Sequence, residues 1–313
     1  MILIISHPED IHARAVLNHL GQMRAPAQLL NLGRFPKAAR LVLRYDAHSS
    51  QMGWSDDDGT VIDLDTVGAV WWRRPQPLAF EPGLKAQDFA ASECAEALAG
   101  MWQAMPAVWM NPPVLDEAAS RKSWQLRLAG QLGLDPPETI ITTCPQTARA
   151  FVAKCGDVIC KPFAGSRHHR RETCRIREAE LAEIEQLRHA PAILQQRIEG
   201  RDIRVTVVGR QVFAAEIDTG AGRFPDNRRM NDNRTIRPAA LPKPTISAIH
   251  ILMEYLGLVY GALDFRQQPD GRLRFLEINP AGQFLFVEEQ TGQPIARAMA
   301  SELMQMAGLR AAA

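Results

Sequence analysis

The sequence predicts a mixed α/β (α+β) fold, because strand-like and helix-like segments alternate without a strict βαβ order. Its 313 residues suffice for two or three modest domains, and the 46% of hydrophobic residues can fill a substantial core. The net charge of +1 does not favour nucleic acid or an anionic membrane as partner. Short apolar runs, no signal-peptide pattern and five cysteines without a C-x-x-C pair predict a cytoplasmic protein.

Residues 1–112 are predicted to form a small α/β domain that ends at the Asn-Pro-Pro of positions 111–113. An apolar strand over Met1–Ser6 precedes a helix that runs to about Leu20, with Pro8 in its first turn. "RLVLRYD" and "VGAVWWRRP" are strand candidates, with a polar hairpin or loop, "GWSDDDGTVID", between them. A helix is expected from about residue 85 to 105.

Residues 113–313 are predicted to form a second domain whose two lobes divide near residue 197. "DEAASRKSWQLRLAGQLG" reads as one helix, capped by Asp116 and ended by Gly133. Extended "PPETIITT" and a helix ended by Gly156 follow. "DVICKPFAGS", "AILQQRIEG" and "RDIRVTVVGRQVFAAEI" are strand-like, and residues 219–238 form a long polar loop. Helices are expected from about residue 244 to 256 and from near Pro294.

Asp270-Gly271 is a strong hairpin signal between "LVYGALDFRQQ" and "RLRFLEINP". A symmetric turn there makes residues whose numbers sum to 541 face each other, which places Asp264 opposite Glu277. Asn279 shares their face through the two-residue period of a strand. Two carboxylates and an amide oxygen are suitable ligands for Mg²⁺.

Two alternatives to a magnesium site remain open at this point. The hairpin could be a solvent-facing strand pair that carries its acids by chance. A zinc site could form from the three cysteines Cys155, Cys160 and Cys174 with His168-His169, although this spacing matches no common metal pattern.

A magnesium site suggests a nucleotide, and therefore cationic phosphate ligands earlier in the chain. Lys161 ends a strand and enters a Gly/Ser loop, an arrangement that suits phosphate. Lys122 lies mid-helix, where it could equally extend along an apolar stripe. Asp202 and Arg204 share one strand face, which could instead be a solvated edge.

These pieces, in this order, resemble the ATP-grasp superfamily over about residues 112–305. The matching features are Lys122, Lys161, the segment 195–199, "GRDIRV", "ALDF" and "LEINP". "VWWRRP" and "EINPAGQFLFVEEQTGQPI" are similar to RimK-type ligases, and more closely to the microviridin-type peptide maturases, also called graspetide synthetases. The resemblance implies an ATP-grasp fold preceded by a pre-ATP-grasp domain, and a homodimer.

The resemblance also implies the cofactors, ATP and Mg²⁺ with two ions expected, and a role for individual residues. Arg204, Arg228 and Lys161 would act in catalysis. The implied nucleotide-binding residues are Lys122, Lys161, Gln195, Gln196, Arg197, Ile198, Glu199 and Asp202. The implied metal ligands are Asp264, Glu277 and Asn279, in agreement with the hairpin pairing.

The loop 219–238 departs from the family pattern, which has an Asp-Trp-Arg element there. Asp226-Asn227-Arg228-Arg229 is an approximate match, and Arg228 or Arg229 would supply the arginine. Such a loop would attract an acidic peptide; its five arginines are Arg223, Arg228, Arg229, Arg234 and Arg237. This loop and residues 163–173 are candidates to cover a reactive intermediate.

Three functions therefore remain in play. The first is an ATP-dependent maturase that activates an Asp or Glu of a peptide as an acyl phosphate and joins it to a Ser or Thr hydroxyl or a Lys amine. The second is a RimK-like ligase that adds a free amino acid or small amine to a carboxylate. The third is a nucleotide-binding module without turnover.

Overall fold

A computed structural model describes residues 1–163, 173–218 and 235–309. The N-terminal part begins with a strand, a helix and a second strand. Its elements are β1 (Ile2–Ile5), α1 (Ile11–Gln22), β2 (Ala27–Leu30), β3 (Ala39–Tyr45), β4 (Ser50–Asp56), β5 (Val61–Asp63), β6 (Ala69–Trp72), α2 (Gln87–Ala104) and β7 (Val108–Met110). Short 3₁₀ helices cover Leu32–Arg34 and Leu64–Thr66.

The N-terminal part contains two sheets. Strands β2, β1, β6 and β7 lie side by side in a parallel sheet, in that order. β1 is buried at every position, which explains its uninterrupted apolar sequence. Strands β3, β4 and β5 form a separate antiparallel sheet, and the polar segment between the predicted strands is therefore a hairpin.

The next segment contains α3 (Pro113–Ala119), α4 (Lys122–Gln131), β8 (Thr139–Thr142), α5 (Pro145–Cys155), β9 (Val158–Lys161), β10 (Cys174–Arg175), α6 (Glu178–Ala182), a 3₁₀ helix (Ile184–Arg188) and β11 (Ala192–Gln196). Its strands form an antiparallel sheet in the order β10-β9-β11-β8. One face of this sheet packs with α5 in a small core around Phe151 and Leu194.

The last segment contains β12 (Arg201–Val208), β13 (Gln211–Asp218), β14 (Thr235–Pro238), α7 (Lys243–Leu256), β15 (Tyr260–Gln267), β16 (Leu273–Asn279), α8 (Leu285–Thr291) and α9 (Ile295–Met306). Its antiparallel sheet has the order β14-β13-β12-β15-β16. One face packs on α4 and α7 around Leu252 and Phe275. A further core around Trp71 and Met299 joins α9 to α1, β1 and β6 of the N-terminal part.

Several predicted elements are wrong in detail. α1 begins at Ile11, where the Asp10 carboxylate accepts the N–H of His12 at 3.0 Å, so Pro8 precedes the helix. Thr235–Pro238, predicted as loop, forms β14, and α8 was not predicted. The remaining boundaries of the predicted helices agree with the structure to within a few residues. In the described ranges, no helix combines the length and apolar character needed to cross a bilayer.

The predicted helix starting at Asp116 is two helices, α3 and α4, with Ser120 and Arg121 between them. α3 begins at Pro113 and ends at Ala119, and the Ser120 hydroxyl donates to the Asp116 carbonyl at 3.0 Å. Lys122 is consequently the first residue of α4 and does not lie mid-helix. Asp116 caps neither helix, because Pro112 precedes the first turn of α3 and Arg121 that of α4.

Asp116 instead has a buried Oδ2 atom with no hydrogen-bond partner among the described residues. Burial raises the pKa of Asp116 to about 6, despite a hydrogen bond from Asn111 and the charge of Arg73. A carboxyl group whose pKa is raised in the folded protein lowers the free energy of unfolding at pH values above that pKa. Below the pKa that the group has in the unfolded chain, near 4, it has no effect on stability.

We expect Asp116→Asn to raise the free energy of unfolding at pH 7.5 by about 1–3 kcal/mol, because the burial penalty on the charge is removed. The gain should shrink between pH 6 and pH 4 and vanish below it. Urea unfolding across this pH range tests this. Glu117→Gln, at an exposed position of the same helix, is the control. An equal effect of Asp116→Asn at all pH values would contradict the explanation.

Candidate active site

The main cleft of the described structure has a volume of about 850 Å³. It lies between the β9–β11 sheet, the β12–β15–β16 face and the N-terminal part. Most of the predicted site residues line it: Lys122, Lys161, Gln195, Gln196, Arg197, Ile198, Asp202, Arg204, Asp264, Glu277 and Asn279. The structure thus brings together residues that are up to 157 positions apart, from 122 to 279.

Asp264 and Glu277 face each other across β15 and β16, as the hairpin arithmetic predicts. The route to this register differs from the prediction. Near the turn, the pairs Arg266–Arg274 and Phe265–Phe275 sum to 540, and a bulge beyond Phe265 shifts the register by one residue to 541. Leu276 is the extra residue on β16. Since a bulge re-aims the side chains beside it, this irregularity helps to orient the two carboxylates.

A row of alternating charges crosses this face of the sheet. Arg204 lies directly opposite Asp264 on β12, with 3.1 Å between Nη1 and Oδ1. Lys122, at the start of α4, places Nζ 2.6 Å from Oε2 of Glu277. The order of side chains along the row is therefore Arg204, Asp264, Glu277 and Lys122. The two carboxylates lie in the middle, and a cationic side chain flanks each of them.

The electrostatics of Asp264 reflect this setting. Burial raises the pKa of Asp264 to about 6; the charge of Arg204 opposes the rise, and that of Glu277 adds to it. Asp202 also raises it and Lys161 lowers it, so both lie close enough to act on this carboxyl group. A divalent cation would favour the ionised form of two carboxylates placed so close together.

The donor set fits Mg²⁺. Asp264, Glu277 and the amide oxygen of Asn279 are hard oxygen ligands at the edge of the cleft. Asn279 Oδ1 accepts the N–H of Ala281 at 2.9 Å, which orients the amide and leaves a second lone pair. Among the residues the structure describes, no group of three or more His, Cys, Asp or Glu side chains could hold a metal. His168 and His169 of the zinc alternative lie outside those residues.

The sheet of β9 and β11 supplies a more apolar wall. Lys161 pairs with Ile193, and Ile159 with Gln195, so the four share one face that lines the cleft. Gln195 is buried and donates from Nε2 to Thr139 Oγ1 at 2.9 Å, and its Oε1 has no partner among the described residues. An unsatisfied buried acceptor beside two isoleucines fits a flat, amine-bearing ring.

The predicted hinge is less open to a ligand than expected. The backbone N–H of Gln196 donates to the backbone carbonyl of Glu138, and that of Arg197 donates to the backbone carbonyl of Asp157. These two donors are therefore not available to a ligand. The Arg197 side chain pairs with Asp157 at 3.1 Å. Glu199 is largely exposed, pairs with Arg197 at 3.3 Å and is not among the residues that line the cleft. Its role at the nucleotide therefore stays a prediction.

Asp202 and Arg204 share a strand face, as predicted, but have different partners. Asp202 pairs with Arg266 at 2.6 Å, opposite it on β15. The neighbouring pair Arg204–Asp264 extends this ladder of opposed charges. The interpretation of this strand as a solvated edge is wrong, because β12 is flanked by β13 and β15.

The arginine-rich loop falls largely outside the described residues. Residues 219–234 include Arg223, Arg228, Arg229 and Arg234, so the predicted catalytic Arg228 stays a prediction. Arg237 is on β14, where its Nη2 lies 3.6 Å from Oε1 of Glu216. Of the other candidate covering segment, residues 164–172 are likewise outside the described structure.

The N-terminal part contributes residues to the cleft that were not predicted from the sequence. Ile11, His12 and Arg74 line the cleft beside the residues that follow β16. Buried Arg73 pairs with Asp10 at 3.2 Å and donates to the carbonyl of Gly282 at 2.8 Å. Asn111 accepts the N–H of Tyr260 and donates to the Pro280 carbonyl. Two features of the sequence could have indicated this contribution. They are the two arginines inside "VWWRRP" and the asparagine, Asn111, that precedes two prolines.

Comparisons with known proteins agree with this architecture. Residues 1–117 match the family described as the MvdD pre-ATP grasp domain. The macrocyclase MdnC of Microcystis aeruginosa MRC, solved with precursor peptide MdnA, is 27% identical, with a TM-score of 0.87 over 97% of this chain and 99% of that one. No curated protein sequence matches the chain.

Two other solved structures show the same likeness. A RiPP-associated ATP-grasp ligase of Chryseobacterium gregarium, solved with ADP and a leader and core peptide, is 26% identical, with a TM-score of 0.89 over 97% of this chain and 96% of that one. The macrocyclase MdnB of Microcystis aeruginosa MRC is 28% identical, with a TM-score of 0.81 over 96% and 98%.

Fold and cleft thus define an ATP-dependent ligase of the ATP-grasp superfamily, and the predicted fold is confirmed. Within that superfamily, residues 1–117 match the MvdD pre-ATP grasp family and the whole chain is similar to solved microviridin-type macrocyclases, as its motifs indicated. The domain limits near residues 112 and 197 and the roles of single site residues stay predictions.

Proposed function

We propose that the protein activates an Asp or Glu side chain of a peptide with ATP and joins it to a Ser or Thr hydroxyl or a Lys amine of the same peptide. The observation that carries the proposal is the opposed Asp264–Glu277 pair, flanked by Arg204 and Lys122 in the cleft. The similar enzymes solved with a precursor peptide or with ADP support a peptide and a nucleotide as the two substrates.

The reaction consists of two displacements. A carboxylate oxygen of the peptide attacks the γ-phosphorus of ATP, the bond to the bridging oxygen breaks, and ADP leaves. The hydroxyl or amine then attacks the acyl carbon, loses its proton, and phosphate leaves with the former carboxylate oxygen. The peptide loses one water for each link, and ATP becomes ADP and phosphate.

The protein contributes position and charge to these steps. Asp264, Glu277 and Asn279 would hold Mg²⁺, with two ions expected, and the metal would neutralise charge on the phosphate oxygens. Lys122, Lys161 and Arg204 would bind phosphate oxygens from the surrounding walls. Ile159, Ile193 and Ile198 would contact the adenine, with the Gln195 amide at its edge.

The expected result with Mg-ATP and the peptide encoded beside the gene is a product lighter by one water per link, together with one ADP per link. Mass spectrometry and ADP release measure both. A heavier product would select the ligase that adds a free amino acid or amine. No ADP with any peptide would select the module without turnover. The homodimer and the cytoplasmic location are further expectations of this assignment.

A further inference from the structure

The segment after β6 holds two adjacent arginines with opposite environments. The N–H groups of Arg73 and Arg74 both donate to the carbonyl of Ile5 at 3.1 Å, so this backbone is fixed to β1. Arg73 is buried and bound to Asp10, whereas the Arg74 side chain lines the cleft. Pro75 follows and restricts the chain at once. The backbone that carries Arg74 is therefore held in a fixed position, and its side chain lines the cleft.

The cleft cations differ in whether the protein neutralises them. Lys122 pairs with Glu277, Arg204 with Asp264 and Arg266 with Asp202. Within the described ranges, Arg74 forms no ion pair with a carboxylate of the chain, although it faces the same space. An arginine in a partly buried cleft without an internal counter-charge is suited to bind an anion from outside.

His12, which lines the same wall as Arg74, does not supply a competing charge. His12 is buried, lines the same wall and stacks edge-on against Phe284 with ring centroids 4.7 Å apart. Burial, followed by the charge of Arg73, lowers the pKa of His12 to about 3, so the imidazole is neutral at working pH. Its Nδ1 has no partner among the described residues. This wall thus combines one cation with a neutral polar ring.

We propose that Arg74 binds the carboxylate of the substrate side chain that is phosphorylated, as a residue that sets specificity for acidic side chains. The inference rests on the proposed function. A carboxylate that approaches ATP is repelled by the phosphates, and a fixed guanidinium can hold it through two parallel hydrogen bonds. The other described cations of the cleft have roles or partners already. Lys122 and Arg204 pair with the proposed metal ligands, Arg266 pairs with Asp202, Arg197 pairs with Asp157, and Lys161 is expected at the phosphates. This leaves Arg74 for the second substrate.

The test uses the full chain and two synthetic peptides. One is the precursor peptide, and its twin carries Gln for Glu and Asn for Asp in the segment that is cross-linked. Affinities for both are measured with Mg-ADP bound, so that no turnover occurs, for the wild type, Arg74→Ala, Arg74→Lys and Arg44→Ala. Arg44 is exposed on β3, outside the cleft, and undergoes the same change.

We expect the wild type and Arg44→Ala to bind the acidic peptide about ten- to a hundredfold more tightly than the amide twin. Arg74→Ala should lose this ratio, and Arg74→Lys should retain part of it, because the charge remains without the planar fork. Mg-ADP affinity and thermal stability should not change. In turnover, Arg74→Ala should raise the KM for the peptide and leave the KM for ATP unchanged.

Two results would overturn the inference alone. One is cross-linking by the wild type together with an unchanged acid-to-amide ratio in Arg74→Ala. The other is a parallel loss of Mg-ADP affinity, which would make Arg74 a nucleotide ligand. A wild type that binds Mg-ADP but forms no lighter product would instead reject the proposed function, and this inference with it.

Discussion

Replacing Asp264 with Asn together with Glu277 with Gln is expected to lower Mg²⁺-dependent ADP formation by about a thousandfold or more, since metal stabilisation of the transferred phosphoryl group is worth several kcal/mol. Each change keeps the shape of the side chain and removes its charge. The two positions face each other across β15 and β16, so the double change removes both carboxylates of the proposed metal site at once.

The same variant separates metal binding from nucleotide binding. Without the two carboxylates, Arg204 and Lys122 lose the partners they hold at 3.1 and 2.6 Å, and the cleft becomes more positive. ATP should therefore bind at least as tightly as to the wild type when EDTA removes all metal. The additional affinity that Mg²⁺ gives the wild type should be lost. Calorimetric titrations with and without Mg²⁺ measure the two quantities.

Asp270→Asn provides a matched control within the same hairpin. Asp270 is exposed at the turn and pairs only locally, with Arg272 at 2.7 Å. Its replacement should leave turnover and metal dependence as they are in the wild type. If a folded double variant at Asp264 and Glu277 turned over like the wild type, the metal site would not involve these carboxylates, and the mechanism would need other ligands.

The hairpin shows how far local sequence rules reach. Asp270-Gly271 predicts a turn, and the alternation of side chains then places Asp264 opposite Glu277 with Asn279 on the same face, which is the observed register. The turn is in fact centred on Asp270, and the bulge at Leu276 compensates for the difference. Nothing in the local sequence distinguishes this bulge from regular pairing, so the correct register was reached through two offsetting details.

The interruption between α3 and α4 could not be predicted from local sequence patterns. Ala, Arg, Lys, Gln and Leu all favour a helix, so propensity predicts one continuous element across residues 116–133. Tertiary contacts decide otherwise. Gln125, on α4, is buried and bonds Ile278 of β16 through both its amide N and O atoms. This contact aligns α4 with β16 and brings its first residue, Lys122, to Glu277.

The contribution of the N-terminal part could not be predicted because it depends on contacts between residues that are far apart in the sequence. Arg73 meets the carbonyls of Ala281 and Gly282 across 208 and 209 positions of sequence. An arginine in a strand-like segment is most often solvated, and no periodicity marks this one as buried. Its role becomes visible only in the folded structure, where its guanidinium carbon lies 5.7 Å from the ring centroid of Trp71, a residue of the core that also contains Met299.

Replacing Arg73 with Met is expected to destabilise the protein by about 3–5 kcal/mol, the usual cost of removing one partner of a buried ion pair. The Asp10 carboxylate is also buried, and it would keep only the Ser6 hydroxyl and the N–H of His12 as partners. The carbonyls of Ala281 and Gly282 would lose a charged donor at the same time. Urea unfolding at pH 7.5 measures the loss, with exposed Arg44→Met as the control.

The double variant Arg73→Met/Asp10→Asn tests the origin of that loss. If the unpaired charge of Asp10 is the main cost, adding Asp10→Asn should recover part of the stability that Arg73→Met removes, and the two changes should not be additive. Additive losses would mean that the contacts of Arg73 with the carbonyls after Asn279 dominate. In that case the segment that follows Asn279, and not the N-terminal part, would be the element that Arg73 stabilises.

The pH dependence gives an independent check on the same pair. Burial alone would raise the pKa of Asp10, but the charge of Arg73 and hydrogen bonds from Ser6 and His12 hold it below the usual value. The wild type therefore gains stability from Asp10 above pH 4 and loses it as the pH falls through the lowered pKa. In Arg73→Met, burial raises the pKa of Asp10 without the opposing charge of Arg73. The ionised Asp10 carboxylate then lowers the free energy of unfolding above pH 4. The difference between the two proteins should consequently be largest near neutral pH and shrink on acidification; a constant difference from pH 7.5 to pH 4 would exclude the ion pair as its cause.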